Sequence, residues 1–548
     1  MKIKPLAGRH DPARIEEAYR IGYWRNELII DLLAKHARER PDALAIVDGD
    51  HRLTWFEFHL LSQRFALHLR RLGIGAGDVV ALQMPNWAEY LVCYHGVRFV
   101  GAILVQVGAD WRRAEMAYGY SIGPAKVAIV PRNFGDFDYP SALQNLKPEL
   151  PGLEHIIVAR GAAPKGTISL DGLLEDPIEA RVSVETLVSY RPSPDEVIRI
   201  VFTSGTTGLP KAIMHTDNTL GHSGRITQAD FGHDENDVIM MFVPFSTNYG
   251  SIMGLQLPLN AGATLVLMDH FSASGALELI GQEKVTYVPA TPTHFIAMTN
   301  SPAMESASVE SIRLMLSAGA AFPVQSIKEM REKFQTMFID SFGMNEFGMG
   351  LWAMPDDDPD KVAGTIGRPI TGVDAQVLGT DGQRVAPGEI GELVIKSAGM
   401  CAGYHNQPEA NATAWDNNGW FRSGDLAIED ELGLFRIAGR SKDVIIRGGA
   451  NVSPREIEEI LIQEPRIREA SVIGLPDDYY GETVCACVIA KPGEQPTTAE
   501  INAYLKPKIA SYKLPSRTVM LEEFPLNSMG KVRKDMLVKI VLSSTELE

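Results

Sequence analysis

Cysteine is scarce. Cys93, Cys401, Cys485 and Cys487 are the only four, and all but the last two lie far apart. That excludes a disulfide framework and a cysteine-rich zinc site. Cys485 and Cys487 alternate within the apolar run 483–489, which places them on one face of a predicted strand as small hydrophobes. Positive charge is in deficit too, with 52 lysines and arginines against 69 acids and a net charge of −17. Nucleic acid and anionic membrane both require clustered positive charge, so neither is expected as a partner. Any anionic ligand must be met by local lysines, arginines and backbone donors. No stretch approaches the ~18 uninterrupted apolar residues of a membrane span, and the opening MKIKPLAGRHDPARIEEAYR lacks the apolar core of a signal peptide. A cytoplasmic protein is expected. Internal repeats and low-complexity tracts are absent as well.

What is present is a long chain of ordinary globular composition, 548 residues, 45% hydrophobic and 22% charged. That is too long for one core. From about residue 40 to 430, short β-rich runs alternate with helical segments, the pattern of a doubly wound α/β body. One unit reads directly: Thr54 and Glu57 form a capping box, apolar residues recur at Leu60, Leu61, Phe65 and Leu69, Gly73 stops the helix, and Val79 begins a strand. The texture changes near Gly439, after a predicted hairpin at Glu431-Leu432-Gly433. Beyond it Ser453 is placed to cap a helix with Pro454 at its first position, and strands are expected near 470–474 and 484–490. The expected architecture is a large N-terminal α/β body of several subdomains, residues 1–441, and a small α+β domain, residues 442–548, able to fold as its own unit.

The most informative segment is FTSGTTGLPK, Phe202 to Lys211, directly after the apolar run Val197 to Phe202. The run has the length and branching of a strand, so the loop leaves a sheet edge where backbone N–H groups can point outward. It reads as a phosphate cradle. Gly205 and Gly208 let the backbone approach an anion, Thr203, Ser204, Thr206 and Thr207 supply hydroxyls, and Lys211 adds a mobile positive charge. A Walker loop is the competing reading. It needs four residues between its glycines and a Gly-Lys-Ser/Thr ending, whereas here two residues intervene and Pro210-Lys211-Ala212 closes the loop.

The string TSGTTGLPK resembles the signature of the adenylate-forming superfamily, which comprises acyl- and aryl-CoA synthetases, free-standing adenylation enzymes and luciferases. Further motifs of that superfamily follow in order: SAGAAFP (317–323), FGMNE (342–346), GELVIKSAGMCAGY (391–404), GWFRSGD (419–425), GRSKDVIIRGGANVSPREIE (439–458), GLPDDYYGE (474–482) and NSMGKVRK (527–534). The resemblance covers nearly the whole chain and implies ATP, Mg2+ and coenzyme A as ligands. It implies that Gly319, Ala320 and Ala321 lie along adenine with Phe342 stacked on it, in place of a more usual tyrosine. Asp425 would accept the ribose hydroxyls with Arg440 as its cationic companion. Glu346 would bind magnesium, with Thr207 close to the metal or phosphates. Asn345 stands where a threonine is usual, and its amide is suited to an α-phosphate oxygen. Lys531 matches the lysine that bridges substrate carboxylate and α-phosphate as charge gathers there. Thr206, Lys211, Glu346 and Lys531 are thus the expected catalytic set.

The implied reaction has two halves. A carboxylate attacks the ATP α-phosphate to give acyl-adenylate and pyrophosphate, and a thiol then attacks the mixed anhydride; no covalent enzyme nucleophile is needed. The resemblance also implies a rotation of the small domain about Lys442, exchanging Lys531 for the loop with Gly448 and Gly449. The acid's pocket is expected from Phe245, Thr247, Asn248 and Tyr249, with Met253 and Met344 as adaptable walls or as plain core. Relatives that activate amino acids usually hold the ammonium with an aspartate at the position of Asn248, and a neutral amide does not replace that charge, so an aromatic, alicyclic or medium-chain acid is expected. No carrier domain follows Lys531, so the thiol is external: free CoA, or an acyl-carrier protein as the alternative. A luciferase-like oxygenase and a noncatalytic nucleotide-binding regulator are the readings outside the ligases. A homodimer is carried as one expectation for the assembly.

Overall fold

The computed structural model describes residues 3–5, 12–187, 191–203, 210–320, 322–447, 450–477, 479–527 and 530–545. Strands buried on both faces organise the large body. Val79–Leu82 carries no exposed residue: Val79 and Ala81 pack into one core, Val80 and Leu82 into the other, as expected of a parallel sheet covered on both sides. That strand belongs to a seven-stranded sheet running from Ala212–His215 through Arg199–Phe202, Ile103–Gln106, Val79–Leu82, Ala125–Pro131 and His155–Ala159 to Ile168–Ser169. All its pairings are parallel except the one between Ala212–His215 and Arg199–Phe202. A nine-stranded sheet, with Val238–Met241, Tyr287–Ala290, Leu314–Ser317 and Met337–Met344 parallel at its centre, forms the second layer.

The helix expected after Thr54 spans Trp55–Arg71, with the capping box formed as predicted. Gly73, at φ +80°, follows its end. Within the large body of several subdomains, the alternation of strand and helix divides between these two sheets. Moreover, Val373–Leu378, Ile390–Ser397, Phe421–Glu429 and Phe435–Arg440 form a third, antiparallel sheet. The turn at Gly433, φ +72°, is too short for a helical crossover, so its flanking strands can only return as a hairpin.

The small C-terminal domain has its own sheet, built from Ala450–Val452, Ile445–Arg447, Gly481–Ala490, Ile467–Asp477 and Arg517–Met520. Its two faces carry separate cores. Val484, Ala486 and Val488 meet Ile457, Leu461, Ile501 and Leu505, while Cys485, Cys487 and Ile489 meet Leu537 and Val541. The shared face of the two cysteines is as the alternation requires. Ser453 departs from expectation: Pro454 does open the helix Pro454–Leu461, but Ser453 makes no side-chain cap. Its hydroxyl instead donates to the Ala438 carbonyl at 2.6 Å, joining the helix to the antiparallel sheet. No helix among the described residues is long and apolar enough to cross a membrane.

Candidate active site

The carboxyl ends of strands from both parallel sheets open onto one cavity of about 590 Å3, where crevices form in open α/β sheets. Gln106, Phe202, Ala318 and Ser341–Met344 reach it from strand ends; the antiparallel sheet contributes Asp425 and Arg440. Asp425 and Arg440 face each other across neighbouring antiparallel strands, and Arg440 Nε donates to Asp425 Oδ1 at 3.0 Å. Burial pushes the Asp425 carboxyl above its usual range, against the pull of Arg440 and Lys531. Gly319, Ala320 and Phe342 line the same end.

Lys531 enters from the small domain on a tight turn. Its backbone N–H donates to Asn527 Oδ1 at 3.0 Å, and Gly530 N–H to the Asn527 carbonyl at 2.8 Å. Gly530 has φ +72°, and a Cβ there would stand 2.5 Å from Thr293 Oγ1, so only glycine permits this approach. The lysine side chain then crosses Gly319, where an added Cβ would meet Lys531 Cε at 3.3 Å. Desolvation, with Arg440 and Lys442 repelling and Asp425 attracting, pushes the Lys531 ammonium down to about 8. Lys442 also lines the cavity, in the short turn Ser441–Asp443, and burial lowers its ammonium as well.

Thr203 and Lys211, on either side of the expected phosphate cradle, are joined by two hydrogen bonds: Lys211 N–H donates to Thr203 Oγ1 at 3.1 Å, and Thr203 N–H to the Lys211 carbonyl at 3.2 Å. Ser204, Gly205, Thr206, Thr207 and Gly208 lie outside the described residues, as do Ala321, Gly448 and Gly449. Glu346 is buried at the cavity wall; its Oε1 accepts from Tyr404 and its Oε2 has no partner among the described residues. Burial raises its carboxyl, with Tyr404 and Lys211 opposing. An orphan carboxylate oxygen at a cavity wall suits a hard cation such as Mg2+, which takes one or two carboxylates and completes its shell with phosphate and water. Among the described residues no group of three or more His, Cys, Asp or Glu forms a protein-only metal cage.

Of the residues expected around the acid, some face this cavity and some do not. Thr247, Tyr249 and Met344 face the cavity, joined by Ser246, Ile252 and Met349. Phe245, Asn248 and Met253 do not. Phe245 packs on Tyr90 at 5.1 Å between ring centroids, and the Met253 sulfur takes a hydrogen bond from Tyr287 in the core. Asn248 is 1% exposed. Its Oδ1 accepts from Arg199 Nη2, its Nδ2 donates to the Asn345 carbonyl at 3.1 Å, and its N–H donates to Asn345 Oδ1 at 3.1 Å. Asn345 Nδ2 in turn donates to the Phe202 carbonyl at 3.1 Å, so this amide ties the end of the strand Arg199–Phe202 to the segment around Asn248.

Arg199 commands this arrangement. It is fully buried, donates also to Gln106 Oε1 at 2.7 Å and to Ser251, and among the described residues has no carboxylate at ion-pair distance. Burial pushes its guanidinium down to about 10. Arg199, Tyr404, Gln106 and Trp111 were missed from the sequence. The one available signal was a lone charge inside an otherwise apolar strand at Arg199.

The sequence profile described as AMP-binding enzyme matches residues 33–405, and the one described as AMP-binding enzyme C-terminal domain matches residues 456–531. The chain belongs to the AMP-binding, adenylate-forming enzymes. This AMP-binding enzyme is 31% identical over 525 residues to the medium-chain fatty-acid–CoA ligase of Escherichia coli, covering 95% of this chain and 92% of that one. It is 29% identical over 530 residues to the 2,3-dihydroxybenzoate-AMP ligase of Bacillus subtilis, covering 96% of both chains. Its fold is similar to the crystal structure of the anthranilate CoA ligase AuaEII in complex with anthranoyl-AMP, at TM-score 0.86 and 26% identity, over 96% of this chain and 99% of that one.

Asn248→Ala in this AMP-binding enzyme removes an acceptor from a buried guanidinium. Unfolding free energy should fall by about 1.5–3 kcal/mol, measured by denaturant titration, while the ranking of acids stays as in the parent. A changed ranking with unchanged stability would return Asn248 to the pocket.

Proposed function

We propose that the chain is an ATP-dependent carboxylic acid–CoA ligase, acting through an acyl-adenylate and releasing AMP and pyrophosphate. The observation that carries this is Lys531 crossing Gly319 beside the Asp425–Arg440 pair, a cation brought from one domain into the other's crevice. A fixed ammonium there supports the first half-reaction, in which charge gathers between carboxylate and α-phosphate. Glu346, with Thr207 of the phosphate loop, would hold Mg2+, which neutralises phosphate charge when bound. Lys211 and the loop hydroxyls hold phosphate oxygens, Asp425 the ribose, and Gly319, Ala320 and Phe342 the adenine. Asn345 keeps a structural role between Phe202 and Asn248.

The acid is aryl, alicyclic or medium-chain in this reading. Support comes from the apolar walls that Tyr249, Ile252, Met344 and Met349 give the cavity, with the Tyr249 hydroxyl anchored on the Leu316 carbonyl at 2.9 Å. Such walls suit an apolar acyl group. Residues 1–441 form the body and 442–548 turn about Lys442 to admit the thiol. Free CoA is the acceptor; loading of an acyl-carrier protein is the second reading, favoured by the likeness to an enzyme named an AMP ligase. A cytoplasmic setting accords with these ligands.

The deciding experiment is ATP–pyrophosphate exchange across a panel of carboxylic acids. Exchange is expected only with the acid present, and CoA should then give an acyl-CoA visible by mass spectrometry. Adenylate that persists in CoA yet discharges to a holo-carrier protein selects the second reading, and no exchange with any acid refutes both.

Lys531 should carry its charge below about pH 8 in the free enzyme and lose it above. The kcat/KM for ATP, which reports the free enzyme, should therefore fall as pH rises through that value, while kcat falls only at higher pH because bound phosphates favour the charged form. Lys531→Arg should remove the falling limb; its persistence would assign the limb to another group.

Lys442→Pro fixes φ near −65° at the proposed pivot. Single-turnover kinetics should show adenylate forming at close to the parent rate and thioester forming at least about tenfold more slowly. Equal rates for the second step in both proteins would place the pivot elsewhere.

A further inference from the structure

Lys211 and Glu346 carry opposite charges at one wall of the cavity, yet they do not form an ion pair. The Tyr404 hydroxyl stands between them: Lys211 Nζ lies 3.4 Å from it, and the hydroxyl lies 2.9 Å from Glu346 Oε1. A phenol has a single proton to donate, and a lysine ammonium has no lone pair with which to accept it. The direction is therefore settled, with Lys211 donating to Tyr404 and Tyr404 donating to Glu346. The ammonium also rests over the tyrosine ring, 4.8 Å from its centroid.

Tyr404 is held from several sides. Its N–H donates to Asn411 Oδ1 at 2.8 Å and its carbonyl accepts from Asn411 Nδ2 at 2.7 Å. Its ring packs on Trp415 at 5.1 Å, and Trp415 on Phe421 at 5.4 Å, at the start of the strand that carries Asp425. Glu346 is fixed from its backbone as well, its carbonyl accepting from Cys401 N–H at 2.7 Å. The hydroxyl is thus a rigid spacer between two side chains, one of them flexible.

We infer that Tyr404 is a positioning residue that keeps Glu346 and Lys211 from quenching each other, so that Glu346 is presented to Mg2+ and Lys211 to phosphate. This rests on the reading of those two residues as the groups that meet Mg-ATP. The physical argument is one of competing partners. Two opposite charges in a site shielded from water attract strongly, and a direct pair must be broken before either can serve a ligand. With the hydroxyl interposed, Glu346 is bound through one oxygen by a neutral donor, and among the described residues its Oε2 has no partner. Lys211 keeps a neutral acceptor that a phosphate oxygen readily displaces.

Tyr404→Phe tests this, since it deletes the hydroxyl and keeps the ring that packs on Trp415. ATP binding to the full chain is measured by calorimetry over a range of Mg2+ concentrations, with no acid present. The Mg2+ concentration for half-maximal enhancement of ATP binding should rise about 10–100-fold, the usual cost of removing a group that orients a metal ligand. ATP affinity without Mg2+ should weaken less, and the KM for the acid should stay within about twofold. Thermal melting reports folding; Tyr404→Trp, which retains a ring and one N–H donor, serves as a second variant and should lie between the two. If the parent binds ATP with Mg2+ dependence and Tyr404→Phe shows the same dependence, the spacer role is overturned. If the parent itself shows no Mg2+ dependence, the underlying assignment of Glu346 fails instead.

Discussion

The site depends on carrying a lysine ammonium from one domain into a crevice of another. Lys531 reaches the carboxyl ends of the body's strands only because two glycines clear its path: Gly530 lets the turn approach Thr293, and Gly319 leaves room for the lysine stem. The cost is desolvation of the ammonium, which lowers its proton affinity. Asp425 offsets part of that cost, and Arg440, which adds to it, is itself bonded to Asp425. A site assembled this way is complete only while the small domain is docked, which links the chemistry of the cavity to the relative placement of the two domains.

Beneath the acyl side, a second buried cation organises the floor. Arg199 has amides and hydroxyls as partners in place of a carboxylate, and they span elements from both parallel sheets: Gln106 at one strand end, Asn248 and Ser251 on the segment after Pro244. Because each partner is needed to satisfy a buried charge, none is free to serve the substrate. That is why Asn248 belongs to the scaffold, whereas Thr247, Tyr249, Ile252, Met344 and Met349 line the cavity.

Much of this was legible beforehand wherever the determinant is local. The capping box at Thr54 and Glu57, the hairpin at Gly433, the shared face of Cys485 and Cys487, and the strand ahead of the phosphate loop all rest on spacings of a few residues. Ser453 failed by the same measure: its spacing to Glu456 fits a cap, but the Ala438 carbonyl of another sheet competes successfully for its hydroxyl. The fold class followed from alternation of strand and helix, whereas the division into two parallel sheets did not, since alternation carries no information about which strands become neighbours.

By itself, then, the sequence determined the elements, the glycines that permit close approach, the order of charged groups along the chain and, through its motifs, the adenylate-forming family. Only the tertiary structure decided which groups meet. Tyr404 serves Glu346 from 58 residues away and Lys211 from 193; Arg199 claims Asn248 from 49. These pairings are set by how layers pack and by the cost of leaving a buried polar group without a partner, which favours whatever donor or acceptor lies nearest in space.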